Sequence, residues 1–155
     1  MAIPCLDERG LLPPGVFCAT LSDICQGFSY NKRRVELYQK LESFICEELM
    51  QCASGLSLLI GGSYLSDKPN PGDIEAALRL NLDNFREYDE KLKHIIHDFN
   101  FFHAYVKQQY EVDFYPSFDG GPTDYSLFFG YVGTKTGQSK GLHPKDKRGI
   151  VEIRI

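Results

Sequence analysis

The strongest constraint in the sequence is an apolar segment that runs into two glycines and is followed by a pair of carboxylates. Residues 56–60 are nearly all apolar, which is typical of a buried central strand. A loop that contains two prolines separates them from Asp73 and Glu75, which open a second apolar segment. We therefore predict strands over residues 56–60 and 73–80. The turn between the first strand and the loop is formed by Gly61, Gly62 and Ser63.

The paired carboxylates indicate a metal site. On a strand, residues i and i+2 point to the same face, so Asp73 and Glu75 project together. Two like charges held close together raise each other's pKa unless a cation lies between them. Magnesium prefers oxygen ligands and usually keeps phosphate oxygens among them. A third carboxylate, Asp113, falls on a predicted strand over residues 110–117. The pattern predicts a site for a nucleoside triphosphate bound with Mg²⁺ (or Mn²⁺).

The residues around the glycine turn suit a phosphate chain. Glycines allow a close approach of the backbone, and successive N–H groups in such a turn form an anion-binding concavity. Ser63 adds a hydroxyl donor. Lys68 in the following loop either contacts a phosphate or is plain surface charge, and the sequence leaves both readings open. The candidate nucleotide-binding residues are Gly61, Gly62, Ser63 and Lys68.

With a Gly-Gly-Ser turn, an Asp-x-Glu pair and a later Asp on another strand, the chain resembles the nucleotidyltransferase superfamily that includes DNA polymerase beta. The nearer likeness is to its small, stand-alone prokaryotic members, the minimal nucleotidyltransferase type. A narrower, poorly characterised group resembles the chain nearly end to end. That likeness is carried by the segments Gly10-Leu11-Leu12-Pro13-Pro14-Gly15, Lys68-Pro69-Asn70-Pro71-Gly72-Asp73-Ile74 and Val112-Asp113-Phe114-Tyr115-Pro116-Ser117.

The resemblance implies a small mixed β-sheet with helices packed against it, an α/β (α+β) nucleotidyltransferase fold. It also implies that Asp73, Glu75 and Asp113 bind metal and that Asp113 helps to deprotonate the attacking hydroxyl. The reaction implied is transfer of a nucleoside monophosphate from an NTP to a protein or RNA acceptor. Small members commonly act in toxin–antitoxin or phage-defence pairs, which adds a possible cognate protein partner.

One residue departs from the superfamily pattern. The second carboxylate is usually Asp, and Glu75 reaches roughly 1 Å further, which matters because magnesium demands near-ideal geometry. A second hypothesis is therefore a catalytically idle binding module on the same fold that neutralises or scaffolds a partner. A hydrolase that cleaves a phosphodiester with the same carboxylates is a third, weaker reading.

The composition bounds the remaining possibilities. At 155 residues the chain is expected to form a single domain, residues 1–155. A formal net charge of −4 argues against a protein that coats nucleic acid by bulk electrostatics and leaves room for a local basic patch. No apolar run approaches the roughly 18 residues needed to span a bilayer, and no signal peptide is evident, so no membrane association and a cytoplasmic location are expected. The five cysteines lack zinc spacing and are interpreted as reduced residues that fill apolar positions, with a regulatory or intermolecular disulfide as the alternative.

Outside the site, the pattern predicts helices at two places. Residues 31–53 form a helix with Asn31 as its N-cap, and a second helix begins at an Asn84–Glu87 capping box and breaks near Asn100. Residues 1–30 are expected to lie extended across the domain with their leucines buried, although a mobile tail is the rival reading.

Two basic segments have open interpretations. Lys32-Arg33-Arg34 is either a solvated face of the first helix or a contact for a nucleotide or nucleic acid. The stretch 135–148 carries lysines, an arginine and a histidine with a single opposing aspartate, and is either a polyanion contact or a solvated, flexible loop. A final strand with period two closes the chain over residues 149–155.

Overall fold

The protein is built on a five-stranded mixed sheet. The structure is a computed structural model that describes residues 3–155. The strands are ordered β1-β5-β2-β3-β4 in the sheet. Strand β2 is antiparallel to β3 and β5, whereas the pairs β1–β5 and β3–β4 are parallel. The expected mixed α/β fold is therefore confirmed. The strands are β1 (Gly15–Ala19), β2 (Ser57–Gly61), β3 (Ile74–Leu80), β4 (Val112–Phe118) and β5 (Gly149–Arg154).

Helices connect these strands and pack on the sheet. They are α1 (Leu21–Phe28), α2 (Lys32–Phe44), α3 (Glu90–His97), α4 (Phe99–Tyr110), α5 (Tyr125–Phe128) and α6 (Thr134–Lys140). Helix α2 continues into a π-helical turn, Ile45–Leu49. The Asn31 cap is confirmed, because its side chain accepts a hydrogen bond from the Arg34 N–H at 2.9 Å. Short 3₁₀ turns follow β2 and β3, at Ser63–Leu65 and Leu82–Glu87.

The two faces of the sheet are buried very differently. Alternate residues of β2 and β3, such as Leu58 and Ala76, lie in a large core with the apolar sides of α1, α2 and α4. The opposite face is covered by a small cluster in which Phe129, just after α5, packs on Leu59 and Ala77. Side chains two residues apart share a face, so Glu75 lies on the same side of β3 as Ala77. The predicted carboxylates are thus on the face that α5 only partly covers.

The N-terminal segment is more structured than the sequence indicated. Leu11 and Leu12 are fully buried, as expected. The prediction of a purely extended segment is wrong, because residues 15–28 form an edge strand and a helix. Thr20 and Asp23 form a reciprocal capping box at the start of α1. The Thr-x-x-Asp pattern is therefore the sequence signal from which this helix could have been predicted. Residues 1 and 2 lie outside the described part of the chain.

Three further expectations need correction. The Asn84–Glu87 capping box is wrong: Asn81 caps the 3₁₀ turn there, and α3 begins only after its own cap, Asp89. The flexible-loop interpretation of residues 135–148 is wrong, because that stretch includes most of α6. Only Cys52 of the five free cysteines is buried; Cys5, Cys18 and Cys46 are exposed and do not fill the core.

Nowhere between residues 3 and 155 is there a helix with the length and apolar character needed to cross a membrane.

Candidate functional site

A single row of residues crosses three strands at the predicted site. Gly61 at the end of β2 pairs with Glu75 on β3, and Glu75 pairs in turn with Asp113 on β4. Register partners on neighbouring strands point to the same face of the sheet, so the carboxylates of Glu75 and Asp113 lie side by side. Asp73 stands two residues before Glu75, just ahead of β3. The structure thus brings the three carboxylates to one end of one face.

This end of the sheet opens into a cavity of about 1110 Å³. All three carboxylates line it, together with Gly62, Ser63 and Lys68. Gly61 is the one predicted site residue that does not. Six cationic side chains and four carboxylates line the cavity, although the whole chain has a formal net charge of −4. Its cationic residues are Lys68, Lys107, Lys135, Lys140, Lys145 and Arg148.

The two glycines of the turn are required for different reasons. Gly62 has φ +77°, a conformation that side-chain-bearing residues rarely adopt, and an added Cβ would lie 2.7 Å from Glu75 Oε2. A Cβ on Gly61 would lie 2.8 Å from the ring of Phe129. Gly61 therefore lets Phe129 close over β2, whereas Gly62 makes room for the carboxylate of Glu75. Both glycines place this turn directly against the carboxylate row.

Glu75 is the carboxylate of the site whose charged form is least favoured by its surroundings. Burial raises the pKa of its carboxyl group, and the nearby charges of Asp73 and Asp113 raise it further. Arg148 and Lys107 oppose this rise. Lys107 on α4 forms an ion pair with Asp73. Burial alone would lower the pKa of Lys107, but the hydrogen bond to Asp73 and the three carboxylate charges outweigh burial and raise it.

Asp113 is held by two ring-bearing side chains. The Tyr115 hydroxyl donates to Asp113 Oδ2 at 3.0 Å, and His103 Nε2 lies 3.2 Å from Asp113 Oδ1. The other ring nitrogen of His103, Nδ1, is 2.8 Å from the carbonyl oxygen of Phe114. His103 and Tyr115 also pack ring to ring, with centroids 5.1 Å apart. These contacts fix the orientation of the Asp113 carboxylate at the cavity wall.

The three carboxylates are the kind of ligand that magnesium prefers, but they are not arranged around a common metal position. All three offer oxygen ligands, and a cation among them would relieve the repulsion that raises the pKa of Glu75. Within residues 3–155, however, no three His, Cys, Asp or Glu side chains come together in an arrangement that could hold a metal ion. Lys107 engages Asp73, so a metal at this site requires that ion pair to open.

Two buried arginines shape the loop that follows the glycine turn. Arg34 has no exposed surface and donates to the carbonyl oxygens of Phe28, Tyr64, Ser66 and Lys68 at 2.6–3.2 Å. Arg148 is 3% exposed and donates to the carbonyl oxygens of Gly62 and Leu65 at 2.9 and 3.0 Å. Arg34 is therefore neither part of a solvated helix face nor a contact for a nucleotide or nucleic acid, because it is buried and holds the loop in place. The side chain of Lys68 is left exposed at the cavity.

Several residues of the site were not found from the sequence. His103 and Lys107 are one helical turn apart, so the spacing alone places them on one face of α4. The sequence does not say that this face meets the carboxylates, because α4 docks beside β4 through apolar residues elsewhere on the helix, such as Val106. The basic stretch 135–148 was identified, and four of its basic side chains line the cavity.

The fold and site define a mixed α/β protein whose sheet ends in a carboxylate row and a net cationic cavity. Residues 4–154 match the model of DUF6932, a family of unknown function. Because the match covers nearly the whole chain, the protein belongs to this family. No curated protein matches the chain, and no solved structure matches it.

Proposed function

We propose that this protein is a metal-dependent nucleotidyltransferase of the polymerase-beta type that transfers a nucleoside monophosphate from an NTP to a hydroxyl on a protein or RNA acceptor. The proposal rests on one observation, which is that carboxylates and cationic side chains line the same cavity. Three carboxylates lie at one end of a sheet face, and the six cations of the cavity stand against them. Carboxylates suit metal ions, and clustered Lys and Arg side chains suit a polyphosphate.

Each group has a distinct role in the proposed reaction. Asp73, Glu75 and Asp113 would hold Mg²⁺ or Mn²⁺, which when bound neutralises phosphate charge and activates the attacking hydroxyl. Asp113, oriented by His103, receives the proton of that hydroxyl. The acceptor oxygen forms a bond to the α-phosphorus while the bond from that phosphorus to the bridging oxygen breaks, and pyrophosphate leaves. The cavity lysines and Ser63 bind the departing phosphates, and this positioning provides most of the rate enhancement.

The acceptor and biological setting are proposed from the resemblance. A protein side chain or an RNA end is the acceptor, and a cognate partner protein, as in toxin–antitoxin or phage-defence pairs, presents or controls it. A cytoplasmic location belongs to the same proposal, and the free thiols of all five cysteines are usual in a reducing compartment.

A second candidate function is supported by the contacts of the carboxylates. Lys107 engages Asp73 and His103 engages Asp113, so two of the three metal-ligand candidates already have partners. A catalytically idle module that uses the cationic cavity to bind a partner would keep such pairs closed. The two candidates differ in one respect that can be measured, which is whether phosphorus is transferred covalently.

The test uses purified protein with Mg²⁺ or Mn²⁺ and each NTP labelled in turn at the α- or the γ-phosphate. Total RNA and the product of the neighbouring gene serve as acceptors. The proposal predicts that α-label, but not γ-label, joins an acceptor and that Asp73→Asn and Asp113→Asn abolish transfer. Asp83→Asn, an exposed carboxylate outside the cavity, is the matched control and should transfer normally. Absence of transfer with every pairing would favour the binding module instead.

A further inference from the structure

The cavity has an aromatic rim that the proposed phosphate and metal chemistry does not use. Phe128, Phe129 and Tyr131 line the cavity on the side of α5 and the residues that follow it. The lysines and the carboxylates account for the phosphates and the metal. A nucleotide also has a flat, apolar base, which needs a surface of a different kind. Aromatic side chains provide such a surface through stacking.

Of these three rings, that of Phe128 has the most exposed surface. Phe129 is 3% exposed and packs against the backbone of Gly61. Tyr131 already has a cation over its ring, because Lys147 Nζ lies 4.1 Å from the ring centroid. Phe128 is 66% exposed, and its neighbouring rings, those of Tyr125 and Phe129, are inclined to it by 76° and 54° rather than stacked on it. An exposed ring at a cavity mouth loses water-exposed apolar area when a flat ligand covers it.

The position of Phe128 is fixed relative to the carboxylates. Asp124 caps the N-terminus of α5, and its side chain accepts a hydrogen bond from the Ser126 N–H at 3.0 Å. The Tyr125 ring stacks on that of Tyr115, with centroids 4.5 Å apart and an interplanar angle of 17°. Tyr115 in turn donates to Asp113. A short chain of contacts through Tyr125 and Tyr115 therefore links the Phe128 ring to Asp113 at the cavity wall.

We propose that Phe128 is the base platform of the site and stacks on the nucleobase of the bound nucleotide. This inference rests on the proposed function, because it takes the cavity to bind a nucleotide. Stacking tolerates every base, since each has a π-face, so Phe128 confers affinity for nucleotides in general and only a modest preference for purines. The cavity then distinguishes a nucleotide from an inorganic polyphosphate through one side chain.

The experiment compares two ligands that share the phosphate chain and differ in the base. Calorimetry with Mn²⁺ measures the binding of ATP and of inorganic tripolyphosphate to the wild type, to Phe128→Ala and to Leu127→Ala. Leu127 is the matched control, because it is the preceding residue, is 64% exposed and does not line the cavity. Phe128→Ala should weaken ATP binding by about 5- to 150-fold, the range found for loss of one base stack, and leave tripolyphosphate binding unchanged. Leu127→Ala should change neither.

The outcomes separate this inference from the proposed function. A lower ratio of ATP to tripolyphosphate affinity in Phe128→Ala supports the base platform even if the wild type transfers nothing. An unchanged ratio overturns it even if transfer proceeds, as does a wild type that binds tripolyphosphate but not ATP. If Phe128→Ala keeps ATP affinity and loses only transfer, the ring contacts the acceptor and the inference is wrong. Equal weakening of both ligands would show general damage to the cavity and would also overturn it.

Discussion

The buried guanidinium of Arg34 offers the most quantitative test of how this site is held. Its hydrogen bonds to the carbonyl oxygens of Phe28, Tyr64 and Ser66 are within the buried interior, and the bonds to Lys68 are partly buried. Arg34→Met keeps most of the side-chain volume and removes every donor. A buried polar group left without a partner costs about 1–3 kcal/mol, so three such carbonyls would cost about 3–9 kcal/mol.

The net loss should lie near the lower end of that range. Burial lowers the pKa of Arg34, which reflects the cost of desolvating its charge, and the substitution relieves that cost. We therefore expect Arg34→Met to lower the free energy of unfolding by about 3 kcal/mol or more. For a domain of this length, a loss of that size corresponds to a melting temperature about 6–12 °C lower.

The matched control is the neighbouring arginine. Arg33 is partly exposed, pairs with Glu111 and donates to the carbonyl oxygens of Pro71 and Gly72. Water can replace these partners when Arg33 is substituted, so each contact is expected to contribute about 1 kcal/mol or less. Urea unfolding followed by far-ultraviolet circular dichroism should therefore give a much lower midpoint for Arg34→Met than for Arg33→Met, with similar slopes. If the two variants lose the same stability, or if Arg34→Met loses less than about 1 kcal/mol, Arg34 does not hold the loop.

Three further predictions concern residues of the site and its border. Because burial and like charges raise the pKa of Glu75, its ionisation destabilises the folded protein as pH rises above 4.5. Glu75→Gln should therefore have a higher melting temperature than the wild type at pH 8 and an equal one at pH 4. A difference in melting temperature that does not change with pH would contradict this. Hydrogen bonds from Arg33 and Lys40 lower the pKa of Glu111 to about 2, so protonation of Glu111 should remove part of the wild-type stability between pH 4.5 and 2. Acid titration of Glu111→Gln should show a smaller loss over this range, and an equal loss would contradict this. Gly62→Ala should lower the free energy of unfolding by about 1–3 kcal/mol, because its backbone conformation is unfavourable for alanine, and should weaken Mn²⁺ binding by displacing Glu75. Gly27→Ala, which has open space at its Cβ, should have neither effect.

The central strands and the local pair Asp73 and Glu75 were the most predictable parts of the molecule. An apolar run that ends in glycines and a pair of carboxylates at i and i+2 depend only on local sequence, and β2, β3, β4 and β5 all fall within two residues of their predicted bounds. The meeting of Glu75 with Asp113 could not be derived in that way. It depends on the parallel register of β3 and β4, which is set by packing over the whole sheet.

The parts that were missed are stabilised by contacts distant in sequence. Helix α6 contains no large apolar residue, and its Lys140 donates to the carbonyl oxygen of Arg9 and to the carboxylate of Asp67, both far away in the chain. Arg34 looks like surface charge, because the sequence does not show that four backbone carbonyls converge on it. Lys107 was overlooked for the same reason, since its partner, Asp73, lies 34 residues away in the chain.

The most direct test of the account is a titration of Mn²⁺ followed by electron paramagnetic resonance, with and without a non-hydrolysable nucleoside triphosphate. It requires no knowledge of the acceptor. We predict that the wild type binds Mn²⁺, that nucleotide tightens the binding, and that Asp73→Asn and Asp113→Asn each lose the binding while Asp83→Asn retains it. A wild type that binds no Mn²⁺ in the presence of nucleotide, or variants that bind it as well as the wild type, would contradict the claim that these carboxylates form a metal–nucleotide site.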